Sequence, residues 1–272
     1  MALPTPPPPL RLNFGEAFTF LFRDPHWLRK CALTALFSVL SITFIPYLFL
    51  AGYWLTLSER VMRLEPQPLP AWTDFGTLLR KGWRVFLVRV VYYAPILLIS
   101  AVIMGLVLVI AFAIGGFGLF TGSTGTSPAS LAPILLIIPL ALLLIPFSLA
   151  LPCILPAADA QLVLHEEELE PAFRFGAVFA FIRRNLGQYA LMVVLYVGAA
   201  QVIGGGTSIL FQISGNSSRY TGFGLTYFAI LGVLVVVVRS VNSIIGLYLG
   251  CFLAHMIGQL CWYEREVRGH EH

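Results

Sequence analysis

Five apolar runs, Cys31–Leu57, Val85–Phe120, Leu131–Leu164, Leu186–Leu210 and Thr221–Trp262, occupy more than half of this 272-residue chain. A helix crosses the hydrocarbon of a bilayer with about 20 apolar residues, so each run is long enough to span. Only 11% of the residues are charged, 58% are hydrophobic, and the mean hydropathy is +0.85. Soluble domains carry about 25% charge, so this chain lacks the ionised side chains that would cover a water-borne globule. A cytosolic enzyme and a disordered scaffold are thereby excluded. The net charge of +4 is too small and too dispersed for the basic stripe of a nucleic-acid binder.

The fold expected is all-α: a polytopic integral membrane helical bundle of four to six membrane segments with short amphipathic interfacial helices. Residues 1–12 form a proline-rich flexible head, 13–265 a single membrane domain and 266–272 a polar tail. Lys and Arg favour the cytoplasmic side. Segments 1–30, 58–84, 165–185 and the tail carry most of these cations, whereas 121–130 has none and 211–220 has only Arg219. Both termini are therefore expected in the cytoplasm, with the two neutral loops outside. The first run conflicts with this rule, because basic segments flank it on both sides. Either it is a re-entrant hairpin, with Cys31–Ile45 descending, a turn near Pro46 and Tyr47–Val61 returning, or it is one proline-kinked crossing. The fifth run, with Arg239, Ser240, Asn242 and Ser243 near its middle, reads as one bent helix or as two.

Three stretches preceding apolar runs begin with Phe-Gly: FGEAFTFLFRD (14–24), FGTLLRKGWR (75–84) and FGAVFAFIRRN (175–185). In each, apolar residues recur at helical spacing: Phe14, Phe18, Leu21 and Phe22; Phe75, Leu78, Leu79 and Trp83; Phe175, Val178, Phe179 and Ile182. Each ends in basic residues beside an aromatic, the pattern of a helix lying among anionic headgroups. Asn13 with Glu16 is expected to cap the first, Asp74 the second, and Pro171 to occupy the first turn of the third. Gly82 and Gly187 read as bends between these helices and the following spans. The recurrence, with Leu-Glu-Pro at 64–66 and 169–171, suggests an internal repeat of an interfacial helix followed by a descending and a returning segment.

The stretches DPHWLRK (24–30), FIPYLFLAGYWLTLSERV (44–61), LPAWTDFGTLLRKGWRVFLV (69–88), PAFRFGAVFAFIRRNLGQYAL (171–191) and FLAHMIGQLCW (252–262) resemble an uncharacterised prokaryotic membrane family catalogued as domain of unknown function 4013. The resemblance runs from about residue 14 along almost the whole chain and is most specific over 171–191. It implies a multi-pass membrane protein of bacteria or archaea with no established activity. It carries no catalytic residue.

Reactive chemistry is sparse. His165-Glu166-Glu167-Glu168 lacks the second His at the spacing a zinc helix needs, and reads as a solvated acidic loop. Cys251 and His255, four apart, supply two ligands where a metal site needs more. Cys31, Cys153, Cys251 and Cys261 read as buried, inert thiols. No enzyme activity, cofactor or metal is expected.

Three features remain. Asn242, Gly246, Gly250, Ala254 and Gly258 recur every four residues as a helix-packing ridge of small side chains, suited to intramolecular packing, a homo-oligomer or a membrane partner. Prolines 133, 139, 146, 152 and 156 interrupt the third run and favour kinks. Asp159 and Arg239 are the most embedded charges, and embedded charges tend to pair. Together these describe a multi-pass membrane protein with a structural, partner-binding or lipid-interacting role. The alternative is a small-solute permease or transporter component using Asp159 or Arg239.

Overall fold

A computed structural model describes residues 12–40, 44–67, 69–115, 146, 150–215 and 225–268. Every regular element among them is helical, in line with the expected class. The chain divides into two compact units, residues 1–86 with 156–272, and residues 87–155.

The first unit begins with α1 (Phe14–Thr19), which tightens into a 3-10 turn over Phe20–Arg23. Asn13 caps α1 as expected: its Oδ1 accepts from the Glu16 N–H at 2.9 Å, and Glu16 Oε2 accepts from its Nδ2 at 3.3 Å. Two helices follow, α2 (Trp27–Leu40) and α3 (Phe44–Met62). Their facing residues, such as Phe37 and Phe49 at 5.4 Å, pack the two helices as an antiparallel pair. Residues 41–43 separate the two helices. Pro46 sits inside the first turn of α3, where its missing N–H costs nothing, so it starts the returning helix and does not form the turn.

The link from α3 to α4 (Phe75–Gly115) folds back over this hairpin. Leu69 and Trp72 are buried there. The Trp72 ring lies between Phe37 (4.6 Å) and Tyr53 (5.0 Å), and its indole N–H donates to Thr34 Oγ1 at 3.2 Å. Asp74 caps α4 by accepting from the Thr77 N–H at 3.0 Å. α4 is a continuous helix of 41 residues, which corrects the expected bend at Gly82. That glycine is instead a crossing point. A Cβ on Gly82 would overlap the Leu48 carbonyl, and one on Gly52 would overlap the Leu78 carbonyl, so α3 and α4 touch backbone to backbone.

Further along come α5 (Ala150–Leu164), α6 (Leu169–Phe173), α7 (Phe175–Arg184), α8 (Leu186–Gly215) and α9 (Leu225–Arg268). Pro171 lies in α6, not in the first turn of α7, because Arg174 breaks the helix between them. α7 and α8 meet at 99° across Asn185, beside the glycine where a bend is expected. The fifth run is one helix of 44 residues. Arg239, Ser240 and Asn242 impose no backbone restriction of the kind proline does, so the helix passes through them and on to Arg268, beyond the start of the expected tail.

α9 runs parallel to α3. Gly250 abuts the Trp54 ring, the Ser58 hydroxyl donates to the Ala254 carbonyl at 2.8 Å, and Gly258 faces the Ser58 carbonyl and Val61. This register sets Phe44 level with Ser240. Phe44, at the start of α3, therefore lies about 22 Å short of the start of α9, at 1.5 Å per residue. In the second unit, α4 continues through Pro95 with apolar residues facing outward: Leu98 is 68% exposed and Val102 is 70% exposed. Among the described residues, two helices, Phe75–Leu106 and Ser240–Glu266, are long and apolar enough to cross a membrane, or three if the bent α7–α8 pair counts as one, so the described residues do not reach the expected four to six. The last five residues of the second run, much of the third, the neutral loop 121–130, Pro133 and Pro139 lie outside the described residues.

The glycine crossing gives a direct test. Gly82→Ala should lower the thermal stability of the detergent-solubilised protein by at least about 2 kcal/mol, the order of a packing overlap. Gly246→Ala, where a Cβ meets nothing within 4 Å, should leave it unchanged in the same melting assay.

Candidate functional site

The polar groups of the first unit gather where helices end. Glu59 lies in the last turn of α3, Glu167 in the turn after α5, and Glu264 near the end of α9. A carboxylate at a helix C-terminus opposes the helix dipole and needs a cation beside it. Each has one. Lys81 Nζ contacts Glu59 and lies 3.1 Å from Glu167 Oε1, while Arg84 Nη1 lies 2.6 Å from Glu167 Oε2 and donates to the Glu167 carbonyl at 3.0 Å. Glu264 accepts from Asn185 Nδ2 at 2.6 Å and stands 4.0 Å from Arg184 Nε.

Glu59 and Lys81 are both buried, and Glu59 Oε1 has no hydrogen-bond partner among the described residues. The four side chains Glu59, Lys81, Glu167 and Arg84 sum to zero charge. Each ion therefore offsets the desolvation cost of a neighbour. The expectation that Glu167 belongs to a solvated loop is thus corrected. Its side chain is turned inward, and the backbone bends to put it there. Glu166 and Glu167 both adopt positive φ, 50° and 73°, and the Glu167 N–H bonds the Leu162 carbonyl at 2.7 Å. Such conformations cost roughly 1–3 kcal/mol for a non-glycine residue, and the contacts to Lys81 and Arg84 hold the turn in place.

A second polar knot ties the start of α2 to the α3–α4 link. Lys30 Nζ donates to Asp24 Oδ2 at 2.6 Å and to the Leu69 carbonyl at 2.9 Å, and Asp24 Oδ1 accepts from the His26 N–H at 2.8 Å. Burial pushes the Asp24 carboxyl up, but the hydrogen bonds from Lys30 and His26 and the Lys30 charge outweigh it. The net effect holds it below its ordinary 3.8.

The residues singled out from sequence fall as follows. Gly250, Ala254 and Gly258 pack against α3, whereas Gly246 meets nothing within 4 Å and Asn242 is half-buried. Asp159 is half-buried on α5, and the Arg239 side chain lies outside the described residues. His255 is buried with its ring 4.4 Å from Phe20 and its Nδ1 3.1 Å from Gln259 Nε2. Among the cysteines, Cys251 and Cys261 are buried and Cys31 is half-buried, but Cys153 is exposed, which corrects the expectation that all four are covered. Sequence inspection missed Glu59, Lys81 and Glu167 as a group, because 22 residues separate the first two and 86 the last two.

The three Phe-Gly segments also differ from expectation. The apolar residues assigned to one face divide between two. Leu21, Leu78 and Val178 are buried in the protein, while Phe18, Leu79 and Phe179 are exposed. The first segment lies along α9: the Phe18 carbonyl accepts from Tyr248 Oη at 2.8 Å, and the Asn13 N–H donates to Gln259 Oε1 at 2.9 Å.

Comparison with curated proteins and with solved structures returns no match. Residues 35–212, more than half of the chain, match the family described as protein of unknown function DUF4013. The chain belongs to that family, as the resemblance of its sequence implies.

Two outcomes follow from the charged groups. Lys81→Met leaves Glu59 buried without its cation and should cost about 3–5 kcal/mol, whereas Glu59→Gln combined with Lys81→Met should recover most of that loss in a thermal melt. Asp24 has a lowered folded-state pKa, so its contribution is present above the unfolded value and lost as pH falls through the folded one. Asp24→Asn should therefore destabilise the protein at neutral pH and flatten the decline in melting temperature that the parent should show on acidification below about pH 4.

Proposed function

We propose that the chain is a multi-pass integral protein of a prokaryotic cytoplasmic membrane, without catalytic chemistry of its own, acting as a structural, partner-binding or lipid-interacting component. The observation that carries this reading is the outward apolar face of α4, where Leu97, Leu98, Val102 and Leu106 are each more than half exposed. Leaving apolar surface in water costs about 25 cal/mol per Å², so a helix of this length with such a face belongs in hydrocarbon. Its charged side chains support a non-catalytic role: Glu59, Lys81, Glu167, Arg84 and Glu264 serve to join helix ends. A protein built this way holds helices at a membrane boundary and presents basic, aromatic surfaces to lipid and to neighbouring proteins.

In this reading the α2–α3 hairpin enters and leaves by one side of the bilayer, and both termini stay in the cytoplasm. The short helices of the hairpin, and the start of α3 some 22 Å short of the start of α9 at the helical rise, support that arrangement.

Alkaline carbonate should leave the protein in the membrane fraction and detergent should release it. Recovery of a monodisperse protein without detergent would overturn the proposal. Cysteines introduced at Arg11 and Arg63 should react with an impermeant maleimide from the same side of sealed vesicles. Labelling from opposite sides would replace the hairpin with a single crossing.

A further inference from the structure

The three Phe-Gly segments share one burial register. Aligned on Phe14, Phe75 and Phe175, the fourth residue (Ala17, Leu78, Val178), the seventh (Phe20, Lys81, Phe181) and the eleventh (Asp24, Val85, Asn185) are buried in all three. The second, fifth, sixth and ninth are exposed in all three. The tenth is Arg23, Arg84 or Arg184, each facing a carboxylate: Glu16 at 2.9 Å, Glu167 at 2.6 Å and Glu264 at 4.0 Å. All three segments lie in the first unit. The same flank of all three segments is turned outward.

What the stripes carry decides the partner. The fifth position is Phe18, Leu79 or Phe179, between 38% and 54% exposed, and Phe22, Trp83, Phe75 and Phe175 extend the apolar line. Beside it stand exposed cations, Arg80 in the second segment and Arg183 in the third. In α7 this stripe runs at 99° to α8, the attitude of a helix lying flat where the next one crosses. Aromatic rings with adjacent arginines match the boundary between acyl chains and phosphates.

We propose that the outward stripes of the three segments form one lipid-facing collar, whose occupant is the headgroup boundary of a bilayer containing anionic phospholipid. This rests on the integral-membrane reading above and adds to it the residues that meet the lipid. The inward side of each segment grips the bundle, the tenth-position arginine is held by a carboxylate, and the cations outside that pair meet lipid phosphate.

The test places nitroxide labels at F18C, L79C and F179C, each an exposed position, with a fourth at Glu266 as an aqueous control. Cys31 and Cys153 are changed to serine, and the protein is reconstituted in phosphatidylethanolamine–phosphatidylglycerol vesicles. All three collar labels should be several-fold less accessible to a water-soluble nickel chelate than the control, and several-fold more accessible to oxygen. Arg80→Gln with Arg183→Gln should shift the second and third labels toward water in these vesicles and not in pure phosphatidylcholine. Full nickel accessibility at the three positions in an incorporated protein would overturn the collar and leave the membrane reading intact. Spin–spin broadening that disappears on dilution with unlabelled protein would assign the stripes to a second copy and also overturn it. Failure of the protein to incorporate at all would overturn both.

Discussion

A carboxylate at the C-terminal end of a helix is electrostatically misplaced unless a cation stands beside it, and among the described residues three such carboxylates are tied into the bundle. Glu59, Glu167 and Glu264 close α3, α5 and α9, and each is answered from a Phe-Gly segment or the residue after it, by Lys81, by Lys81 with Arg84, and by Asn185 with Arg184. The buried Glu59–Lys81 contact couples α3 to α4, and Glu167 adds the end of α5 to the same group. Because Glu59 and Lys81 sit away from water, each depends on the other remaining in place. The helix ends are therefore held in one arrangement by charge, while the helices away from that end are held by shape.

Shape is set by small residues. The absence of side chains at Gly52 and Gly82 lets α3 and α4 touch at their backbones, and Gly250 and Gly258 admit Trp54 and Val61 between α9 and α3. In lipid the hydrophobic effect does not drive helices together, so close packing must do so. The ridge on α9 meets that requirement within the chain over its C-terminal half. α3 is thereby fixed on two sides. This makes a short hairpin rigid although neither of its helices passes for a span by length and hydropathy.

Local features of this fold were legible in the sequence, and features made by distant contacts were not. Asn13 and Asp74 announce their helix starts because a cap is a relation between residues three apart. The basic flanks of the first run left a hairpin and a single crossing open, and the packing of α2 on α3 needed the structure. Its turn was misplaced at Pro46, because proline fits the first turn of a helix as well as it breaks one. Gly82 is ambiguous in the same way: a glycine reads equally as a bend and as a site of close approach, and only the Leu48 carbonyl against it decides. The division of each Phe-Gly helix into an inward and an outward flank needed the structure. Its apolar residues cover more than one face, and nothing local says which flank the protein takes. Glu167 was hidden because its partners lie more than 80 residues away.

In the proposed arrangement the surfaces of α4 and α8 turned away from the protein meet hydrocarbon. Footprinting of the intact protein in lipid nanodiscs tests it residue by residue, with one reagent generated in water and one carried on an acyl chain. Acyl-borne carbenes should modify Leu97, Leu98, Val102 and Val194, all exposed, while hydroxyl radicals from the aqueous phase should leave them untouched and modify Glu266. Efficient oxidation of those four residues from the aqueous side, with no modification from the lipid, would contradict the account.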